Sequence, residues 1–424
     1  MRILLTGASG FIGQHLLRAL LAEGHHVVCA VRKPGKPTHP HMTWVHADFT
    51  NDTDKSAWLA RLSGIDAVIN AVGIFKESGE QTFQRLHTDT PRALFAACAE
   101  APTVKTVIQL SALGADSEAQ TRYHLSKKAA DDYLASLPVH GFMVQPSLVY
   151  GPRGASARVF KALASMPFTV RFGSAPQLVQ PIHVDDLVAA IVALLTRAPG
   201  IGSQRVPLVG ADALPFVDYL AALRTAMGMG KMHVLRLPDG LARTLASLGR
   251  FLPGGLLDPD ALSMLDRGNT ADVALTTQLL GHAPRGIAQF VTEPELERTR
   301  AKLDWLLPIL RYSIAFVWIA TAIVSAGLYP PELSYELLAR TGIPEALRPL
   351  MLYGAAAFDL ALGLGILFLK RRRWLWLAQL GLIGFYTVVI AFKLPEFLVH
   401  PYGPLTKNLP MLAAIWLLYE MEEE

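Results

Sequence analysis

Hydrophobic residues follow two alternating patterns along the first 150 residues. Short apolar runs such as Ile3-Leu4-Leu5 and His26–Val31 are typical of buried strands. Between them, apolar residues recur every three or four positions, as they do from Ile12 to Leu21. This spacing predicts a helix, which Gly24 ends. Further strands are predicted at Asp66–Ala71, Val107–Leu110 and Gly141–Gln145. The repeated strand–helix units predict an α/β fold, a Rossmann-type doubly wound parallel sheet, over residues 1–150.

Residues 151–300 are less regular and rich in proline and glycine. Helical spacing recurs at Val184–Thr196 and Phe216–Met227, and another helix-prone segment lies near Leu241–Leu248. We expect a smaller substrate-side lobe here.

Long apolar segments then dominate, so residues 301–424 are predicted to form an all-α four-helix transmembrane domain. The predicted spans are Trp305–Leu328, Leu350–Leu369, Trp374–Leu394 and Leu409–Tyr419. A span needs about 20 residues, so the fourth is short unless it begins near Leu405. Basic residues at 298–302 and 370–373 favour a cytoplasmic position for those two segments. The loop 329–349 has mixed charge and is expected outside. These patterns predict a multi-pass inner-membrane protein whose N-terminal domain and C-terminal tail are cytoplasmic.

Composition excludes several other classes of protein. The net charge is only +4, and no basic block is interleaved with aromatic residues, so we expect no nucleic-acid partner. Cys29 and Cys98 are expected to be reduced and buried, without metal-ligand spacing. His39, His41 and His46 are expected to belong to a solvated loop, so no metal site is predicted.

The turn between the first strand and the first helix is rich in glycine. Gly7 permits a tight turn, Gly10 lets a pyrophosphate approach the backbone, and Gly13 lets the helix pack on the sheet. This strand–turn–helix context predicts binding of a nicotinamide dinucleotide. The expected contacts are Gly7, Gly10, Phe11, Ile12 and Gly13.

The residues after the next strands bear on the choice of cofactor. Arg32 stands where an NAD site usually has an acid, and arginine suits a 2′-phosphate, so NADP(H) is favoured over NAD(H). Asp48 either binds the adenine amine or caps a helix at Thr50–Asp54. Ala71 and Gly73 are small enough to let the cofactor pass.

A candidate catalytic group follows. Tyr123 and Lys127 are four residues apart in a predicted helix and share one face, and Ser111 ends the preceding strand. The lysine charge is expected to lower the pKa of the tyrosine, which would exchange a proton with a substrate carbonyl or hydroxyl held by the serine.

Residues 1–290 resemble the short-chain dehydrogenase/reductase superfamily in its extended or atypical branches. The resemblance rests on Thr6–Gly13, Asn70–Gly73, Ser111, Tyr123–Lys127, Gln145–Pro152 and Pro181–Asp186. It implies that the segment beginning at Pro146 lies by the nicotinamide. Two positions depart from the family pattern. Gln145 stands where family members often have arginine. His87 stands where many have an asparagine that supports a proton relay.

The later lobe is similar to the branch that includes the reductase-like accessory subunit of respiratory complex I. The membrane part resembles the DoxX-like family through the motif His400–Pro410. Asp359 lies near the middle of the second span, where a carboxylate is costly; it either pairs with Arg311 or is protonated.

Two functions remain open from the sequence. The first is a membrane-anchored NADP(H)-dependent oxidoreductase acting on a carbonyl or hydroxyl of a lipophilic small molecule. The second is a non-catalytic nucleotide-binding subunit or assembly factor, which would have a protein partner in a membrane complex. Consumption of NADPH distinguishes them.

Overall fold

The computed structural model describes residues 1–171, 177–196, 203–236 and 259–422, and the predicted helix at Leu241–Leu248 lies outside these ranges. The strands are β1 (Arg2–Thr6), β2 (His26–Val31), β3 (Met42–His46), β4 (Ala67–Asn70), β5 (Thr106–Leu110), β6 (Gly141–Pro146), β7 (Val149–Tyr150), β8 (Phe168–Arg171), β9 (Leu178–Val179), β10 (Ile182–His183), β11 (Gln204–Leu208), β12 (Leu214–Pro215) and β13 (His233–Arg236). The first helices are α1 (Phe11–Ala22), α2 (Ser56–Leu59), α3 (Thr90–Glu100), α4 (Arg122–Ala135), α5 (Ala155–Ser165), α6 (Val184–Leu195) and α7 (Phe216–Ala226). They are followed by α8 (Pro259–Arg267), α9 (Ala274–Leu280), α10 (Pro294–Ile323), α11 (Pro331–Arg340), α12 (Arg348–Phe368), α13 (Arg373–Lys393) and α14 (Asn408–Met421).

The chain forms two compact units, Met1–Ala301 and Lys302–Glu424. The first contains a seven-stranded parallel sheet in the order β11-β6-β5-β4-β1-β2-β3. The strand order reverses between β1 and β4, which is where doubly wound sheets bind their ligands. The predicted doubly wound parallel sheet is confirmed.

Helices cover both faces of this sheet. One apolar cluster contains Leu16 of α1 and Leu187 of α6, and the other contains Leu94 of α3 and Leu134 of α4. Each thiol is free and buried, Cys29 in the first cluster and Cys98 in the second, as the sequence predicts. Burial raises the pKa of both thiols, that of Cys29 to about 12.

A further apolar cluster of the first unit lies apart from these two and includes Tyr150, Tyr219 and Phe290. Helix α7 contributes to it, whereas α6 and β11 belong to the layers of the main sheet. The described part of residues 151–300 therefore contributes a strand and a covering helix to the main sheet as well as this further cluster. The two helices predicted in this range are observed with ends within one residue.

Among the residues that the structure describes, three helices are long and apolar enough to cross a membrane. They are Pro294–Leu328, Glu345–Phe368 and Arg373–Lys393. The fourth predicted span is an apolar helix, α14, but it has only 14 residues. Its length of about 21 Å is less than the ~30 Å of a bilayer core, so the crossing of the bilayer by this fourth helix stays a prediction. The helix does not begin near Leu405, because residues 401–407 form turns in which Gly403 has φ +53°.

Two polar features organise the second unit. Glu422 accepts hydrogen bonds from Arg311 at 3.3 Å, Arg372 at 3.1 Å and Trp376 at 3.2 Å. Asp359 is buried, and its Oδ1 has no hydrogen-bond partner among the described residues. The pairing of Asp359 with Arg311, one of the two alternatives above, is therefore not observed.

Candidate active site

The glycine-rich turn has the geometry of a dinucleotide cradle. Gly7 has φ +69°, and a Cβ there would lie 2.6 Å from the carbonyl oxygen of Ala71. A Cβ at Gly13 would lie 1.9 Å from the carbonyl oxygen of Gly7. Around Gly10, by contrast, a Cβ would meet only the Gly7 oxygen, at 3.2 Å. The start of α1 is thus approachable at Gly10 and has no acidic residue in its first turn, which suits a pyrophosphate.

The adjoining strand ends present one basic and one acidic side chain. Arg32 directly follows β2 and is exposed. Asp48 accepts hydrogen bonds from the backbone and hydroxyl of Thr50 and from Asn51. Partial burial opposes ionisation of Asp48, but these hydrogen bonds outweigh it and hold its pKa below the ordinary value. Asp48 therefore orders the turn after β3, and its contact with adenine stays a prediction.

Lys127 lies at the carboxyl edge of the sheet. Its Nζ donates to the carbonyl oxygens of Leu110 at 2.9 Å and Val72 at 3.5 Å. A Cβ at Gly73 would lie 3.2 Å from this Nζ. Burial lowers the pKa of Lys127 to about 8, while the charge of Asp131 acts in the opposite direction. The lysine therefore joins the ends of β4 and β5 beside the predicted path of the cofactor.

Tyr123 lies in an aromatic cluster at the start of α4. Its ring centroid is 5.2 Å from Phe75, 5.5 Å from His87 and 6.0 Å from Phe83. Burial, with a smaller contribution from the charge of Asp131, raises its pKa to about 12. The predicted lowering of this pKa is therefore wrong, because desolvation outweighs any effect of the nearby lysine.

Ser111 is engaged by a residue that the sequence analysis missed. Its Oγ donates a hydrogen bond to Oδ2 of Asp131 at 2.6 Å. Gln145 Nε2 donates to the same oxygen at 3.3 Å and to the Ala115 carbonyl at 3.1 Å. Asp131 is fully buried, and burial raises its pKa to about 6. Ser111 thus donates its proton to a carboxylate, and its expected contact with a substrate oxygen stays a prediction.

His87 is fully buried between α4 and the segment after β4. Its Nε2 accepts a hydrogen bond from the Ile74 backbone at 3.0 Å, and its Nδ1 lies 3.0 Å from Ser126 Oγ. Because Ser126 Oγ donates to the Tyr123 carbonyl, Nδ1 is the nitrogen that carries the proton. Burial, reinforced by Lys127, lowers the pKa of His87 to about 2. His87 is therefore a neutral residue that fixes the segment beside Gly73.

Pro146 ends β6, and the chain then turns back towards the glycine-rich turn. The Pro146 carbonyl accepts a hydrogen bond from Leu113 N at 3.0 Å. A Cβ at Gly151 would lie 2.5 Å from the ring of Phe11. The segment expected by the nicotinamide thus adjoins the start of α1. Within the described residues, no group of three His, Cys, Asp or Glu residues could hold a metal ion.

Asp131 and Phe75 are the site residues that sequence reasoning missed. Asp131 had a signal, because Tyr123, Lys127 and Asp131 are spaced by four and share one face of a helix. Phe75 had none, because its exposure of 66% beside Tyr123 depends on the path of an irregular segment.

The fold and this site define the first unit as a Rossmann domain that binds a nicotinamide dinucleotide, of the short-chain dehydrogenase/reductase type. Residues 3–210 match the NAD-dependent epimerase/dehydratase family, and residues 315–416 match the DoxX-like family. The chain therefore joins an epimerase/reductase-like NAD-dependent domain to a DoxX-like membrane domain.

Known relatives match part of the chain. A ceramide reductase of Caulobacter vibrioides is 29% identical over 239 residues, which are 56% of this chain and 74% of that protein. Subunit 9 of the NADH dehydrogenase [ubiquinone] 1 alpha subcomplex of Arabidopsis thaliana is 24% identical over 286 residues, 65% of this chain and 69% of the subunit. The UDP-glucuronic acid 4-epimerase from Bacillus cereus, solved in complex with NAD, is similar in fold, with a TM-score of 0.52 and 20% identity over 72% of this chain and 100% of that chain.

Proposed function

We propose that the protein is a membrane-bound, NADP(H)-dependent oxidoreductase that interconverts a carbonyl and a hydroxyl on a lipophilic substrate. The observation that carries the proposal is the position of Lys127, whose ammonium group joins the ends of β4 and β5 next to Gly73 and one helical turn from Tyr123. Lys127 thus lies next to the point between β1 and β4 where the strand order reverses, with the proton-donating Tyr123 one turn away on the same helix.

The side chains divide the chemistry as follows. The bound dinucleotide supplies or accepts the hydride. Tyr123 stays protonated through the ordinary pH range because its pKa is about 12, so it can donate a hydrogen bond to the substrate oxygen. It would transfer its own proton to that oxygen as the oxygen gains charge and then take up a proton from water. Lys127 orders the crevice and offers its remaining donor capacity to the ribose hydroxyls.

Two features support the choice of cofactor and substrate. The exposed guanidinium of Arg32 directly follows β2, where a 2′-phosphate of NADP(H) would lie. Phe75 is 66% exposed beside Tyr123, which gives the approach to the site an apolar wall. Membrane helices and the similarity to a ceramide reductase agree with a bilayer-soluble substrate.

The test is NADPH oxidation by the purified full chain in detergent. The substrate panel contains a ceramide whose secondary hydroxyl has been oxidised to the ketone, a steroid ketone, a quinone and a short water-soluble ketone. We expect turnover of at least one lipophilic compound and a far higher KM for the short ketone. NADPH binding without oxidation on any member of the panel would contradict the proposal.

A second candidate is a nucleotide-binding subunit without turnover. It is favoured by the hydrogen bond that ties Ser111 to Asp131 and by the similarity to a complex I subunit. Complementation of a deletion strain separates the two functions. The binding function predicts that Tyr123→Phe complements fully, whereas Gly10→Val, which obstructs the pyrophosphate site, does not.

A further inference from the structure

Asp131 lies at the centre of the candidate site and forms no ion pair among the described residues, although the charge of Lys127 acts on it. It is fully buried on α4, one turn after Lys127. Its Oδ2 accepts from Ser111 at 2.6 Å and from Gln145 at 3.3 Å, while its Oδ1 has no hydrogen-bond partner among the described residues. A buried anion with one unsatisfied oxygen is poorly stabilised. Its neutral form is therefore accessible under ordinary conditions.

The Ser111 hydroxyl has one proton to donate and two lone pairs. While Asp131 is ionised, that proton points to Oδ2, so Ser111 offers the substrate only a lone pair. A proton on Oδ1 would meet no acceptor among the described residues, whereas a proton on Oδ2 can be donated to Ser111 Oγ. Once Asp131 is protonated at Oδ2, the carboxyl group therefore donates to Ser111, and the serine proton is released towards the substrate. The two protonation states of one buried carboxyl group thus give Ser111 opposite hydrogen-bonding roles.

We propose that Asp131 is a positioning residue that decides whether Ser111 accepts a hydrogen bond from a substrate hydroxyl or donates one to a substrate carbonyl. The inference rests on the proposed oxidoreductase function and names the residue that biases the site between alcohol and ketone. No bond is made or broken at Asp131 beyond the transfer of its own proton to and from water.

The surroundings of Asp131 agree with titration near neutral pH. Burial raises its pKa to about 6, against the opposing effects of Ser111, Lys127, Gln145 and Arg205. Lys127 and Tyr123 are on the same helix, and the charge of Asp131 contributes to the raised pKa of Tyr123. Arg205 is on β11, where its guanidinium binds the neighbouring Asp132 at 2.5 Å. The uncharged Ser111 and Gln145 face Asp131 from the ends of β5 and β6. Asp131 should thus be mostly protonated below about pH 6 and ionised above it.

Non-reacting ternary complexes test the role of Ser111 directly. The ketone is bound to the enzyme with NADP⁺ and the corresponding alcohol to the enzyme with NADPH, using the ceramide pair of the substrate panel. Between about pH 5 and about pH 7.5, we expect the affinity for alcohol relative to ketone to rise about 3- to 10-fold, the effect of one hydrogen bond. Asp131→Asn should abolish this pH dependence, as should Ser111→Ala.

Asp132→Asn is the matched control, because Asp132 is the next residue on α4 but is exposed and paired with Arg205 and Lys128. It should behave as the unmodified protein does. A pH-independent ratio in the unmodified protein, or an unchanged pH dependence in Asp131→Asn, would overturn the inference.

Infrared pH titration of the protein with NADPH bound provides a measurement that needs no substrate. We expect a protonated-carboxyl band that disappears as the pH rises through about 6, is absent from Asp131→Asn and is shifted in Ser111→Ala. A missing band in the unmodified protein contradicts the role of Asp131, whatever the substrate panel gives. If the band is present but no panel compound binds, the proposed function fails and the proton sharing between Ser111 and Asp131 stands.

Discussion

The ammonium group of Lys127 donates a 2.9 Å hydrogen bond to the carbonyl oxygen of Leu110, the last residue of β5. The lysine is therefore part of the sheet edge as well as of the candidate catalytic group. Removing it should loosen the crevice and weaken dinucleotide binding, whereas removing the Tyr123 hydroxyl should leave the crevice intact. This difference makes the tyrosine the cleaner probe of catalysis.

Tyr123→Phe should lower kcat by about 10²- to 10⁴-fold, the effect of losing an acid–base group. NADPH affinity should change little, because the ring keeps its contacts with Phe75 and His87. Steady-state kinetics and calorimetric titration measure the two quantities. Tyr133→Phe, on the same helix with its ring against Arg92, is the control and should be silent. Full activity of Tyr123→Phe would end the catalytic assignment.

Arg32→Asp should remove most of the preference for NADPH over NADH. A charge-assisted contact with the 2′-phosphate contributes about 1.5–3 kcal/mol, so we expect NADPH affinity to fall about 10- to 100-fold. NADH affinity should stay the same or improve. Lys33→Asp makes the same change in charge at the next exposed position and should have a smaller effect. Equal affinities of the unmodified protein for the two dinucleotides would contradict the prediction.

Asp131→Asn should stabilise the first unit at neutral pH. The pKa of Asp131 is raised from 3.8 to about 6 on folding, so the folded state binds its proton more tightly than the unfolded state does. The unmodified protein should lose up to about 3 kcal/mol of stability as the pH rises from about 4 to about 6, and the asparagine variant should not.

Thermal unfolding in detergent at several pH values checks this prediction. The midpoints of Asp131→Asn and the unmodified protein should converge near pH 4 and diverge towards pH 7, with Asp132→Asn following the unmodified protein. If Asp131→Asn is less stable than the unmodified protein at pH 7, the carboxylate is better stabilised than its burial indicates.

Reporters inserted at 370–373 and fused after the C-terminus should both be cytoplasmic. The Glu422 carboxylate binds Arg372, so the end of α14 and the turn before α13 lie at the same end of the second unit. A reporter in the 329–349 loop should be external. The sequence analysis did not predict α11 in that loop. Its signals were present, because Pro331 and Glu332 suit the first turn of a helix and Arg340 suits the last. Opposite signals from the first two reporters would contradict this topology.

The parts of the structure that follow from the sequence are those fixed by local rules. The glycine-rich turn is predictable because Gly7 and Gly13 are required by contacts within the strand–turn–helix unit itself. Strand positions follow from apolar runs in a sheet covered on both faces. These rules need only the chain within a few residues of each position.

The polar interior of the site was harder to predict, because it depends on contacts between distant elements. Asp131 forms a hydrogen bond with Ser111, which is 20 residues away in the sequence, and Lys127 forms one with Leu110, which is 17 residues away. The pKa of Tyr123 was predicted with the wrong sign because a sequence gives spacing but not desolvation. The fourth helix, Asn408–Met421, is observed with ends within two residues of the predicted Leu409–Tyr419, and its crossing of the bilayer stays a prediction.

Both native thiols are sealed inside the Rossmann layers, and burial disfavours their reactive thiolate form. The unmodified chain should therefore react very little with membrane-impermeant maleimides. Single cysteines introduced into surface turns could be labelled in intact cells without first building a cysteine-free background. The low reactivity of the two native thiols also makes the protein suited to distance measurements between paired spin labels, because only the introduced cysteines would carry a label.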